Sequence, residues 1–472
     1  MIRVASARAR CWGPPLLLLA LLALGGCHRQ LMRAPVIFDQ TGADPFAALP
    51  AERRQTQATI FYATNRRATP ESDAEPYGRS RAPALVLGRL TARIGDDTPW
   101  RTLVDKTLGP LDTARPKMHL EDAREFGPLL TTAPPRVVVA ETGGDRDAAQ
   151  IRFTPRLGPG RGAFRFAEAL NAEMKATGCD EVYVYVHGYR NSFSDALDTA
   201  SSLHHYNGRR GAVVAFSWPS QRHLFDYLED RESATFAVGD FRALLVFLAD
   251  HTQAQRIHII AHSMGTFLTS NTLREMRLLG FDQSPEQLRD RFRIDNVVLV
   301  APDIDVDVLQ KRFFREGFHH VPRKMTIYTS PDDKALAWAR RLLFGTERAG
   351  SVTGANLSET QRLWLQAHPD VAMIDITGQK TFGLGHSHHT ENPGVASDLL
   401  LMLAHDFSPP QRGLVQSPQT SVWRFPKGYT EAVRQIAQSV YPPRLPATAA
   451  VRGASLNPPP PQPSPAGATA AP

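Results

Sequence analysis

This chain of 472 residues has only three cysteines, Cys11, Cys27 and Cys179, too few for a disulfide framework. It has no apolar run of the roughly 20 residues that a membrane-spanning helix needs. It also lacks a long Lys/Arg run interleaved with aromatics, which leaves nucleic-acid binding without support and predicts none. No helical H-E-x-x-H pair or other closed ligand set is present, so no metal site is expected. Without disulfides or metal, stability must come from an apolar core, and a chain of this length can bury a large one. The composition, 42% hydrophobic and 21% charged, suits that.

The net charge is +7, and Arg3, Arg8 and Arg10 are the only charges in residues 1–26. They form a basic region ahead of a short apolar stretch, "PPLLLLALLAL" (Pro14–Leu24), and the box "LGGC" (Leu24–Cys27). That succession reads as a secretory signal. Its small residues before a cysteine predict lipid attachment at Cys27, which would become the first mature residue. Cys11 would leave with the signal and Cys179 would stand alone. His28 is not the aspartate that would resemble an inner-membrane retention signal. The expectation is therefore a lipid-anchored, periplasm-facing protein of the bacterial cell envelope, at the outer membrane.

Residues 27–57 are polar and mixed and read as a tether. The region 58–410 carries the folded domain, with a proline-punctuated insertion at about 96–135. Residues 411–441 form a C-terminal extension. Residues 442–472, with "NPPPPQPSP" (Asn457–Pro465), cannot bury a core and read as a disordered tail. Within the domain, strand-like runs occur at Thr59–Arg67, Ala84–Ile94, Arg136–Glu141 and Gln150–Pro155. Six continuous apolar runs follow, at 181–186, 212–218, 257–261, 296–301, 324–329 and 371–376. Continuous rather than alternating runs indicate strands covered on both faces, as in a parallel sheet. Helical spacing fills gaps at Ala234–Ala249, Gly265–Leu279 and Val395–Leu403. The alternation predicts a mostly parallel, doubly wound α/β fold with helices on both faces.

One serine stands where an apolar strand gives way to a helix, in "RIHIIAHSMGTFL" (Arg256–Leu268). Small residues, Ala261 and Gly265, flank Ser263 at two positions on either side. That is the requirement of a nucleophile elbow, with alanine in place of the first glycine of G-x-S-x-G. The alternative for Ser263 is a plain helix cap. A nucleophilic serine also needs a base, an acid to orient it and donors for the oxyanion. The strand "VYVYV" runs into "HGYRNSF" (His187–Phe193), where Gly188 permits close backbone approach, so the amides of Tyr189 and Met264 are the candidate oxyanion donors. The base is expected after the last sheet strand, in "TFGLGHSHHTENP" (Thr381–Pro393). His386 is the choice, with His388 and His389 as close rivals. Chain order permits two acids. Asp333 in "SPDDKAL" (Ser330–Leu336) is preferred, and Asp303 in "APDIDVDVL" (Ala301–Leu309) is the alternative.

Taken together, "ATNRR", "YVHGYRNSF", "FSWPS" (Phe216–Ser220), "AHSMGTFL", "APDID", "YTSPDDKAL" and "GHS" occur in an order that resembles a bacterial α/β-hydrolase family of uncharacterised esterases and lipases. The resemblance covers about residues 58–405. It implies an α/β-hydrolase fold and hydrolysis of a small-molecule or lipid ester, with no cofactor. It names no substrate and no protein partner. The departures are the 96–135 region, the two extra histidines after His386 and the proline-rich tail. The expectation is a serine carboxylic-ester hydrolase. The alternative is a lipid-anchored binding or envelope-structural protein on the same scaffold, which would have no need of a complete Ser-His-acid set.

Overall fold

The computed structural model describes residues 29–69, 75–96, 98–110, 114–131, 158–223, 226–342, 347–379 and 386–444. The expected strands at 136–141 and 150–155, the signal, Cys27 and the tail beyond residue 444 lie outside them.

The framework is one sheet of eleven strands among the described residues: β1 (Gln57–Ala68), β2 (Tyr77–Ile94), β3 (Met118–Thr131), β4 (Glu181–Val186), β5 (Ala212–Ser217), β6 (Arg256–His262), β7 (Ile294–Val300), β8 (Lys324–Thr329), β9 (Val371–Asp375), β10 (Val415–Gln416) and β11 (Trp423–Arg424). Their spatial order is β10-β11-β9-β8-β7-β6-β4-β5-β1-β2-β3. The run from β11 to β1 is parallel, while β2, β3 and β10 add antiparallel edges.

Side chains alternate across the sheet and so feed two cores. On β4, Val182, Val184 and Val186 join the core under the helices Arg161–Thr177, Tyr227–His251 and Met264–Leu279. Tyr183 and Tyr185 point the other way, into a core shared with the helices Phe193–Tyr206 and Pro393–His405. Every residue of β4, β5 and β7 is buried, which is why these strands carry no polar alternation.

Three expectations about organisation change. The supposed tether is part of the second core: Leu31, Ile37 and Phe38 are fully buried. The Ile37 amide donates to Ser397 Oγ at 3.2 Å, and Asp39 pairs with Arg434. This segment forms short turns with no helix or strand period, so its apolar residues leave no pattern to read. The supposed insertion supplies edge strand β3 and the helix Trp100–Thr107, whose Leu103 is fully buried. The supposed extension contributes β10, β11 and the helix Tyr429–Val440, which buries Val433 and Ala437 against the N-terminal segment. Even the first tail residues are engaged, since Asp44 N–H donates to the Pro442 carbonyl at 2.9 Å.

Candidate active site

β6 ends at His262, and the next helix starts at Met264. Ser263, alone between them, takes φ 53° and ψ −123°, a region that a non-glycine residue enters only at a cost of about 1–3 kcal/mol. Its side chain accepts no capping hydrogen bond from the helix, so the plain-cap alternative is set aside. The backbone is held instead: Ser263 N–H donates to the Val300 carbonyl at 2.9 Å, and Thr266 Oγ1 donates to the Ser263 carbonyl at 2.6 Å.

The crowding explains the small residues. A Cβ on Gly265 would lie 2.4 Å from the His187 carbonyl oxygen, and one on Gly188 would lie 2.9 Å from Ser263 Cβ. The end of β4 is thereby pressed against the elbow. Tyr189, the expected donor, follows Gly188 directly, and Met264 opens the helix beside Ser263, where helix N–H groups favour developing negative charge.

His386 Nδ1–H donates to Asp333 Oδ2 at 2.6 Å. The other oxygen, Oδ1, accepts from the N–H groups of Ala335 and Leu336, both at 3.0 Å, so the carboxylate is locked at the start of the helix Lys334–Leu342. Burial acts to depress His386, but the Asp333 charge and hydrogen bond, with help from Asp303, leave it above the ordinary histidine value. His262 ties His386 to the elbow. Its Nε2–H donates to the His386 carbonyl at 3.1 Å, and the two rings lie 4.7 Å apart.

The rival candidates fall elsewhere. Asp303 is buried, but its carboxylate is taken by Arg348 at 2.7 Å and by Tyr227 Oη–H at 2.7 Å. Its backbone N–H faces the Ser263 carbonyl at 3.5 Å, so it belongs to the site's wall. His389 meets Tyr185 Oη at 3.4 Å and is pushed down to about 3 by burial and by the neighbouring histidines. His388 is buried next to it. Among the described residues, no group of His, Cys, Asp and Glu is arranged to hold a metal ion.

Sequence reasoning overlooked the supports of the donor loop. Arg66, in the quoted "ATNRR", is 1% exposed. It donates to Ser217 Oγ (2.9 Å), Gly78 O (3.2 Å) and Asn191 O (2.8 Å), and reaches His187 Nε2 at 3.3 Å. Burial lowers it to about 9, with Arg79 adding to the effect. Trp218 of "FSWPS" stacks on His187 at 4.9 Å and donates its indole N–H to the His187 carbonyl. Asp230, fully buried and raised by that burial, accepts from Ser220 Oγ and from the amides of Gln221 and Arg190. Together these residues fix the turn that carries Tyr189. The motif strings held Arg66 and Trp218 but not Asp230, and an arginine or an aspartate taken alone suggests surface.

A strained serine between a parallel strand and a helix, with an Asp-His pair after later strands, defines an α/β-hydrolase fold. Residues 163–402, just over half of the chain, match the family described as "Alpha/beta hydrolase of unknown function (DUF900)", and the chain belongs to that family. An uncharacterised protein, alr1448, of Nostoc sp. (strain PCC 7120) is 23% identical over 214 residues, covering 35% of this chain. The match spans 56% of that relative's length. Among solved structures, esterase B from Lactobacillus rhamnosis, held by a C6-C4 SN3 inhibitor, is similar at 16% identity and a TM-score of 0.30, over 48% of this chain and 75% of that one. A lipase-esterase related protein from Clostridium acetobutylicum ATCC 824 is similar at 10% identity and a TM-score of 0.18, over 42% of this chain and 74% of that one.

Proposed function

We propose that this protein is a serine hydrolase of carboxylic esters. Ser263 Oγ attacks the acyl carbon while His386 Nε2 takes its proton. The same nitrogen returns the proton to the leaving alkoxide. Asp333 holds the Nδ1–H tautomer and stabilises the imidazolium that forms, without taking the proton itself. The amides of Tyr189 and Met264 receive the oxyanion, a role in which one donor is worth about 10²–10³ in rate. Water then repeats the cycle on the acyl-enzyme.

The observation that carries this reading is the Asp333–His386 hydrogen bond, held by His262 beside a serine in a strained turn. A residue kept in a costly conformation, with its hydroxyl not used as a cap, fits a nucleophile better than a structural serine. We further propose that Cys27 anchors the protein in the cell envelope by lipid.

The decisive experiment is labelling with a fluorophosphonate probe. The wild-type chain should be labelled, and Ser263→Ala should lose labelling while melting cooperatively. An unlabelled wild type, or a labelled Ser263→Ala, would remove the serine mechanism.

A further inference from the structure

Away from the elbow, a cavity of about 130 Å³ lies between the sheet and the helices that cover its β8–β9 flank. Ile327 and Met373 form its floor, Leu309 and Phe313 one wall, and Trp364 and Leu365 the other. The cavity opens to solvent on one side, so it is a pocket that a ligand can enter and not a sealed packing void. An apolar void of about 150 Å³ is enough to admit benzene.

Two further observations set this cavity apart from a packing fault. It lies on a seam, because Met373 and Val352 belong to a small cluster with Val422, separate from the main core that holds Leu309, Phe313 and Ile327. Phe313 reaches it from a π-helical stretch, Arg312–Glu316, into which the helix Val306–Lys311 runs. Such wide turns are rare and collect at functional sites.

The polar lining decides the ligand's head group. Gln310, Asn356 and Gln361 offer amides, and Glu347 offers a negative charge, while none of the described lining residues is a lysine or arginine. Neighbouring Arg348 is 1% exposed and committed to Asp303. A carboxylate or phosphate would meet Glu347 with no compensating cation, whereas a hydroxyl could exchange hydrogen bonds with the amides.

We propose that this cavity binds the alkyl chain of a neutral single-chain amphiphile, a medium-length alcohol, with its hydroxyl at the amide rim. The described lining includes none of Ser263, Asp333 and His386, although Val306 and Ala349 border the segment that carries Asp303. The cavity floor reaches Val371, the first residue of β9, whereas Ser263 and Asp333 follow the C-terminal ends of their strands.

Trp364 in the wall is a built-in reporter. The full chain carrying Ser263→Ala, which separates binding from turnover, is titrated with 1-octanol while tryptophan emission is followed. A saturable change is expected, and it should vanish in Trp364→Phe. Octanoate at pH 8 should need at least tenfold higher concentration. Val352→Phe, which fills the void, should abolish the response, and Leu357→Phe at the half-buried rim serves if that variant does not fold. A response that never saturates, one that persists in Trp364→Phe, or equal binding of octanoate would overturn the proposal.

Discussion

Replacing Asp333 by asparagine keeps the side chain's size, and the structure dictates which way the amide must face. Asp333 Oδ1 accepts two backbone N–H groups, from Ala335 and Leu336. An amide nitrogen cannot accept there, so the asparagine oxygen must take that position and its NH₂ must face His386 Nδ1. The neutral histidine then turns Nδ1 into an acceptor and carries its proton on Nε2. That is the nitrogen that has to receive the serine proton. The helix start is preserved but the base has the wrong tautomer, a change that lowers turnover by about 10⁴. The pH profile moves as well. In the wild type, burial is outweighed by the Asp333 charge, so His386 stays above its ordinary value and activity falls as pH drops through that raised value. With the charge gone, burial dominates and the acid limb moves to lower pH. Hydrolysis of a short p-nitrophenyl ester from pH 5 to 9, with thermal unfolding at pH 8 as a fold control, tests both effects. A folded Asp333→Asn within tenfold of wild-type kcat, or an acid limb displaced upward, would refute the reasoning.

Asp303→Asn should chiefly cost stability, about 3–5 kcal/mol, because Arg348 would keep a buried charge without its partner. Chemical denaturation measures this, and a wild-type midpoint with lost turnover would instead move the acid to Asp303. His386→Ala should lower turnover by orders of magnitude, while His388→Ala and His389→Ala cost much less; a larger loss at either of those two would reassign the base. Gly265→Ala forces a Cβ against the carbonyls of the central strand, and a urea midpoint equal to wild type would contradict the crowding described above. Mass spectrometry of the mature protein should show lipid on Cys27, and Cys27→Ser should be released or remain unprocessed; an unmodified, soluble wild type would end the anchoring proposal but leave the hydrolase reading intact.

The centre of the fold was legible because strands covered on both faces carry continuous apolar runs, and β4 through β9 each hold one, with their polar residues at the strand ends or, as with His258, Asn296 and Thr326, buried against partners. The elbow was legible because sharp turns need small residues at fixed offsets, as Ala261 and Gly265 supply. The edges were not. β3, "MHLEDAREFGPLLT", is mixed and its pairing with β2 is broken by register shifts, so no period survives. The choice between Asp303 and Asp333 could not be made from order, since both follow strands. It turns on Arg348, 45 residues beyond Asp303, and no local pattern shows that it folds back onto Asp303. Arg66 escaped for a similar reason. A buried guanidinium is intelligible only once the carbonyls of Gly78 and Asn191 are seen around it.

The segment 31–49 has a consequence for how the chain folds. Ile37 bonds to Ser397, 360 positions later, and Asp39 pairs with Arg434 at a separation of 395. Residues 31–49 can lock only once the helices Pro393–His405 and Tyr429–Val440 are in place. Phe38 can rest early on Tyr206, but its second ring partner, Tyr441, and the covering helix Tyr429–Val440 join only when the C-terminal part has folded. Contacts of such separation are slow to close, and exposed apolar surface invites association in the meantime. The segment 31–49 and the helix Tyr429–Val440 thus act as a latch, and the folding step that closes it joins widely separated parts of the described residues.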